Sequence, residues 1–162
     1  MAVVDYFLKI EGIDGESQDH KHKGEIQLHS FSFGAHQTGT HGAGGGGGSG
    51  KASVQDLSFV KHTDKSTPKL FLACVTGQHL KKAVLTCRKA GKTQQEYWVI
   101  KLEELLVSSF CTGGPHEGVA LPTDQVSLNF AKIELEYKEQ KADGSLGGAV
   151  KCGYDAKQQK AV

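Results

Sequence analysis

Long apolar runs, paired cysteines and catalytic signatures are all missing from this sequence, and each absence removes a class of function. No segment approaches membrane-spanning length, so a helical membrane protein is excluded. Cys74, Cys87, Cys111 and Cys152 lie far apart with no C-x-x-C, which argues for reduced thiols rather than a disulfide framework. Nineteen basic residues against eighteen acidic ones leave a formal charge of +1 with no basic run, so neither nucleic acid nor an anionic membrane is an expected partner. The opening MAVVDYFLKIEG carries Asp5, Lys9 and Glu11 where a signal peptide needs an uninterrupted apolar region. The chain is therefore expected to be made and folded in the cytoplasm, with any export by another route. No Ser or Cys sits in a nucleophile elbow and no H-E-x-x-H occurs, so no enzyme and no cofactor is expected.

What is present in excess is glycine. Between Gly39 and Gly50 there are eight, with no large apolar side chain; such a segment is costly to order and has nothing to bury. Gly45, Gly50 and Lys51 satisfy G-x-x-x-x-G-K, which offers nucleotide binding or hydrolysis as an alternative function. Ala52 stands where Ser or Thr would hold magnesium, and a P-loop must lead into a helix, whereas ASVQDLSFVKHT reads as a strand. Seven glycines among the nine residues from Gly42 to Gly50 make a chance match cheap. Two further readings stay open on composition alone, a flexible linker and an arm that orders against a neighbouring subunit.

The 162 residues suit a single domain, 1–162, that buries about two thirds of its unfolded surface. Tyr6 to Ile10 reads as a strand. From Glu25 to Gly34, Ile26 and Leu28 share one face while Phe31 and Phe33 share the other, which implies a bend near His29 and Ser30 and turns Ser30 and Ser32 away from the phenylalanines. Ser53 to His62 reads as one strand. Thr67 as cap, Pro68 at the first helical position and Gly77 as stop define a helix, and the six apolar residues Leu70 to Val75 predict that it is covered on most sides. Lys82 to Arg88 alternates with Ala83, Leu85 and Cys87 inward. Tyr97 to Phe110 and Val126 to Tyr137 are long strands whose apolar set changes phase. The tail, 138–162, holds one short candidate strand near Val150 to Tyr154. Strands that switch their buried face bend from one sheet to another, so the fold is expected to be mainly β: a small antiparallel two-sheet barrel with one short helix and a long Gly-rich loop.

Eight histidines (His20, His22, His29, His36, His41, His62, His79 and His116) show no ligand spacing; each is expected at the surface, the H-x-H of His20 and His22 included, and no metal site is expected. Glu134 and Glu136, two apart, should share a solvent face on a sheet edge; with Glu103 and Glu104 they are the only carboxylate pairs in strand-like segments.

In order along the chain, FLKIEGIDGES (Phe7 to Ser17), SFSFGAHQTGT (Ser30 to Thr40), GGGGGSGKASVQDLSFVKHTDKSTPKL (Gly44 to Leu70), LTCRKAG (Leu85 to Gly91), SSFCTGG (Ser108 to Gly114), VSLNFAKIELEY (Val126 to Tyr137) and QKADG (Gln140 to Gly144) resemble the haemolysin-coregulated protein (Hcp) family, the tube-forming proteins of the bacterial type VI secretion system. The resemblance covers nearly the whole chain, and VQDLSFVKHTDKSTP is its most specific part. It implies a two-sheet β-barrel that closes into six-membered rings, stacked into a tube inside a contractile sheath. It further implies a structural and carrier role, with the spike protein, the sheath and baseplate, and small effector proteins in the lumen as partners, and secretion through the same system. The family's inter-subunit extension maps onto 36–51, making His36, Thr38, Thr40, His41, Gly45, Gly48, Ser49 and Lys51 candidate ring contacts. Ser30 and Ser32 become candidates for the lumen. Phe31 and Phe33 stand where the family commonly has tryptophan, and 25 residues after Tyr137 are too few for an added toxin domain.

Overall fold

The structure is a computed structural model that describes residues 4–39, 49–91, 93–118 and 120–162. Eleven strands and one helix follow in the order β1 (Val4–Ile10), β2 (Ile26–Leu28), β3 (Ser30–Ser32), β4 (Ala35–Gly39), β5 (Ser49–Val54), β6 (Leu57–His62), α1 (Thr67–Thr76), β7 (Leu80–Lys89), β8 (Gln95–Gly113), β9 (Thr123–Gln140), β10 (Leu146–Asp155) and β11 (Lys160–Ala161). Every pairing is antiparallel. Among the described residues nine strands make one continuous sheet, β11-β10-β9-β8-β7-β1-β2, from which β6 and then β3 branch off the first half of β9, and β4 and β5 pair only with each other.

The phase changes do what the sequence predicts. In β8 the buried residues step from Ile100 and Leu102 to Leu105 and Val107, and the step is taken at Glu104, whose φ of 49° lies in the left-handed region. In β9 the adjacent Phe130 and Ala131 are both buried, so the strand's inward face switches there. His29 interrupts the ladder between β2 and β3 as expected. Folded over at these points, the sheet encloses Leu8, Ile26, Leu57, Phe59, Leu85, Ile100, Leu102 and Leu128. The expected mainly β barrel with one short helix is the observed fold.

Several expectations fail in detail. The single strand 53–62 is two, broken at Gln55 and Asp56, and the short strand in the tail extends over Leu146–Asp155. Glu134 and Glu136 are not on an edge, since β9 lies between β8 and β10; Lys101 approaches Glu134, and Lys138 and Lys151 approach Glu136. His22 is buried, not at the surface. Its Nδ1 lies 2.7 Å from Glu25 and its Nε2 2.8 Å from Glu96, with the ring stacked on Phe7. The other side of this cluster is Arg88, the only arginine in the chain, which donates to Asp5 and Asp19 and sits over the Phe7 ring. The guanidinium holds the Asp19 carboxyl well below the usual carboxylate range against the opposing effect of burial. Next to it, burial pushes the Cys87 thiol up to about 12, as fits an inert core residue.

The helix is set by a buried ion pair. Lys61 and Asp124, both 0% exposed, meet at 2.7 Å. Lys61 also donates to Asp64, Thr67 and the His62 carbonyl, while Asp124 accepts from Thr63, Thr67 and Thr112. The Thr67 hydroxyl is therefore committed to this network and does not cap the helix; the cap residue is Ser66, held by Asp64. Gly77 ends α1 at φ 64°, as the sequence predicts. The predicted covering of α1 does not occur among the described residues: only Leu70 and Ala73 are buried, and Phe71, Leu72 and Val75 are 52%, 57% and 62% exposed.

Removing one partner of such a pair leaves a buried charge uncompensated, which costs about 3–5 kcal/mol. Asp124→Asn is expected to lose that much in urea unfolding at neutral pH. Burial opposes the charge of Asp124, but hydrogen bonds from Lys61, Thr67 and Thr112 hold its carboxyl below the usual range. A depressed carboxylate contributes stability above the unfolded value of about 3.9 and loses it as pH falls through the folded value. The gap between wild type and Asp124→Asn should therefore narrow in urea titrations below about pH 4, and a gap that stays constant would contradict this role.

Candidate functional site: a polar strand face and a projecting hairpin

Four strand segments, β3, β6, the first half of β9 and the last part of β8, lie side by side. Their register aligns Ser32 with Ser58 and Ser30 with Val60, Ser58 with Ser127 and Val60 with Gln125, and Ser127 with Ser109 and Gln125 with Cys111. Because side chains alternate along a strand, these residues share one face, and they line a common shallow groove. The opposite face supplies Phe59, Val126 and Leu128 to the core. The polar face bears hydroxyls, one amide, one thiol and one valine, without a charged side chain; Ser58 and Ser127 hydrogen bond across it at 2.9 Å.

Ser30 and Ser32 are exposed on this face, as the sequence predicts. Ser58, Ser109, Gln125 and Ser127 were not singled out by sequence reasoning, although the alternation in DLSFVK and QVSLNF carries the signal. Both sides of the four-strand unit are open. Among the described residues β3 pairs only with β6, and β8 beyond Leu105 pairs only with β9.

The Gly-rich extension, expected as a long loop, is a hairpin at its base. Ala35 pairs with Val54, His36 with Ser53, Gln37 with Ala52 and Gly39 with Ser49. Every residue of β4 is exposed, so the hairpin buries little on the body beyond Val54. Of the candidate contacts, His36 and Thr38 lie exposed on β4, Lys51 lies exposed on β5, and Ser49 opens β5. Thr40, His41, Gly45 and Gly48 fall outside the described residues.

Lys51 stands inside a strand, and the next element is β6 rather than a helix. The helix N-terminus that would face phosphates in a P-loop is thus not there. Among the described residues no group of three or more His, Cys, Asp or Glu gathers as a metal site, and no helix is long and apolar enough to cross a membrane. Two of the expected surface histidines, His29 and His62, meet edge to face at 4.0 Å.

The family model described as "Type VI secretion system effector, Hcp" matches residues 7–137. The chain is 53% identical over 157 residues to Protein hcp1 of Pseudomonas aeruginosa, covering 96% of each. Among solved structures, Hcp1 from Salmonella typhimurium is 36% identical with a TM-score of 0.81 and full coverage of both chains. Another, of a type six secretion system protein, superposes with a TM-score of 0.94 at 28% identity, over 99% of this chain and 100% of that one. This chain belongs to the Hcp family of type VI secretion proteins.

Proposed function

We propose that the chain is the tube subunit of its secretion system, closing as a six-membered ring with the serine-rich face turned to the central channel. The observation that carries this reading is the charge-free polar face between two open strand edges. A strand edge offers a row of unpaired N–H and C=O groups to another chain. When the two edges of one unit differ, joining copies head to tail gives a ring if the rotation closes. Ser30, Ser32, Ser58, Ser109, Gln125 and Ser127 would then line the lumen.

A hydroxyl surface without fixed charge suits the passage of small effector proteins of differing charge, because it offers hydrogen bonds without selecting a sign. Among the described residues the hairpin joins no other strand of its own chain, and an isolated two-stranded hairpin is marginal in water. Its place is against a neighbouring copy, within the ring or in the ring stacked on it, with His36, Thr38 and Lys51 among the contacts and with Thr40, His41, Gly45, Gly48 and Ser49 as the sequence resemblance implies. Rings would stack into a tube inside the sheath, on the baseplate and below the spike protein. Contraction would expel tube and cargo, so the role is mechanical and protective, with no reaction catalysed.

The purified chain is expected to have a native mass near six copies, about 104 kDa from six of 17.3 kDa, by light scattering behind a sizing column. A monomer at high concentration would contradict the ring. Replacing Gly44 to Gly48 by a shorter linker is expected to leave the urea midpoint of the body unchanged while weakening stacking of rings; unaltered assembly would remove the hairpin from the contacts. Magnesium-dependent nucleotide binding, if found, would favour the alternative Gly45–Lys51 function.

A further inference from the structure

The helix α1 carries one charged residue, Lys69, in its ten positions. A helix this apolar is stable where it is covered on most sides, yet among the described residues only Leu70 and Ala73 of it are buried, with Cys74 partly covered. Phe71, Leu72 and Val75, at i, i+1 and i+4, form one contiguous face that stands more than half exposed. Its position matters more than its size. Phe71 packs edge to face on Phe110 with ring centroids 5.8 Å apart, and Phe110 belongs to the part of β8 whose outer edge is open. The apolar helix face therefore adjoins that open edge.

The other open edge has its own half-covered aromatics. Phe31 on β3 and Phe33 just after it are partly buried, with Phe31 against Tyr6. The two edges of the unit thus present different apolar groups, helix residues on one side and aromatic residues on the other. Such a pair of unlike patches fits a head-to-tail contact rather than a two-fold one.

We infer that Phe71, Leu72 and Val75 are an interaction surface for a second copy of this chain, covered by the β3 edge of that copy near Phe31 and Phe33. The inference rests on the ring reading above and assigns a new surface within it. Burying large apolar side chains supplies a driving force that strand-edge hydrogen bonds, exchanged for bonds to water, do not supply alone. The helix is then the anchor of the contact and the strand edge its register.

The test compares Leu72→Glu and Val75→Glu with Val150→Glu, which adds the same charge at another exposed apolar position, 72% exposed on β10. Glutamate is a good helix former and both helix sites are exposed, so the variants are expected to keep the circular dichroism and urea midpoint of isolated wild-type chains. Leu72→Ala provides a milder variant without added charge. The expected result is a folded monomer for the two helix glutamate variants and at least a tenfold rise in the ring's dissociation concentration for Leu72→Ala. Val150→Glu is expected to form rings like wild type. Helix variants that form rings as readily as wild type would overturn the inference and leave the ring intact. Equal loss in Val150→Glu would also overturn it, since added charge alone would then explain the effect. A wild type that never leaves the monomer would overturn the ring reading itself.

Discussion

A buried ammonium and a buried carboxylate, Lys61 and Asp124, hold the place where three strands and the helix meet. Lys61 comes from β6, Asp124 from β9 and Thr112 from β8, and Thr67 opens α1. Neither charge is affordable in the core alone. Together, with three threonine hydroxyls and Asp64 completing their hydrogen bonds, they fix how β6 lies against β9 and where the chain turns out of β6 into α1. A slip of one residue in that register would bring the serines to the core and the phenylalanines to water. Both surfaces on which the proposals rest follow from this constraint: the polar face, through the β6–β9 register, and the apolar helix face, through the docking of α1 beside β8.

The molecule divides its surface by chemistry. One strand face is polar and uncharged, the sheet's outer half around Glu134 and Glu136 is laced with lysine–glutamate pairs, and the helix is nearly devoid of charge. A subunit that stood alone in water would not need this division. A subunit with an inside, an outside and neighbours on either hand would, which gives the assembly reading a physical basis separate from family membership.

Much of the fold was legible because the bends leave a trace in the order of apolar residues. Ile100, Leu102, Leu105 and Val107 cannot all face inward from a flat strand, and the structure places the discontinuity at Glu104. Ser30 and Ser32 were legible by the same rule. The hairpin base was not, since His36, Gln37, Thr38 and Lys51 alternate with no apolar residue and strand pairing there leaves no hydrophobic signature. His22 is expected at the surface, as an isolated imidazole usually is, and nothing in the sequence marks Lys61 or Asp124 as buried; only spatial pairing makes their burial possible, and pairing across more than sixty positions has no local pattern. The apolar girth of α1 predicts a cover that the described residues do not supply, since Phe71, Leu72 and Val75 stand exposed; a single sequence does not say whether such a cover belongs to its own chain.

The most direct measurement is an electron cryo-microscopy reconstruction of the assembled wild-type protein. The expected result is a closed ring of six chains whose channel is lined by Ser58, Gln125 and Ser127, with the hairpin of each chain seated on a neighbour. A ring whose channel is lined by the lysine–glutamate face, or an assembly that leaves the serine face open to outside solvent, would contradict the account.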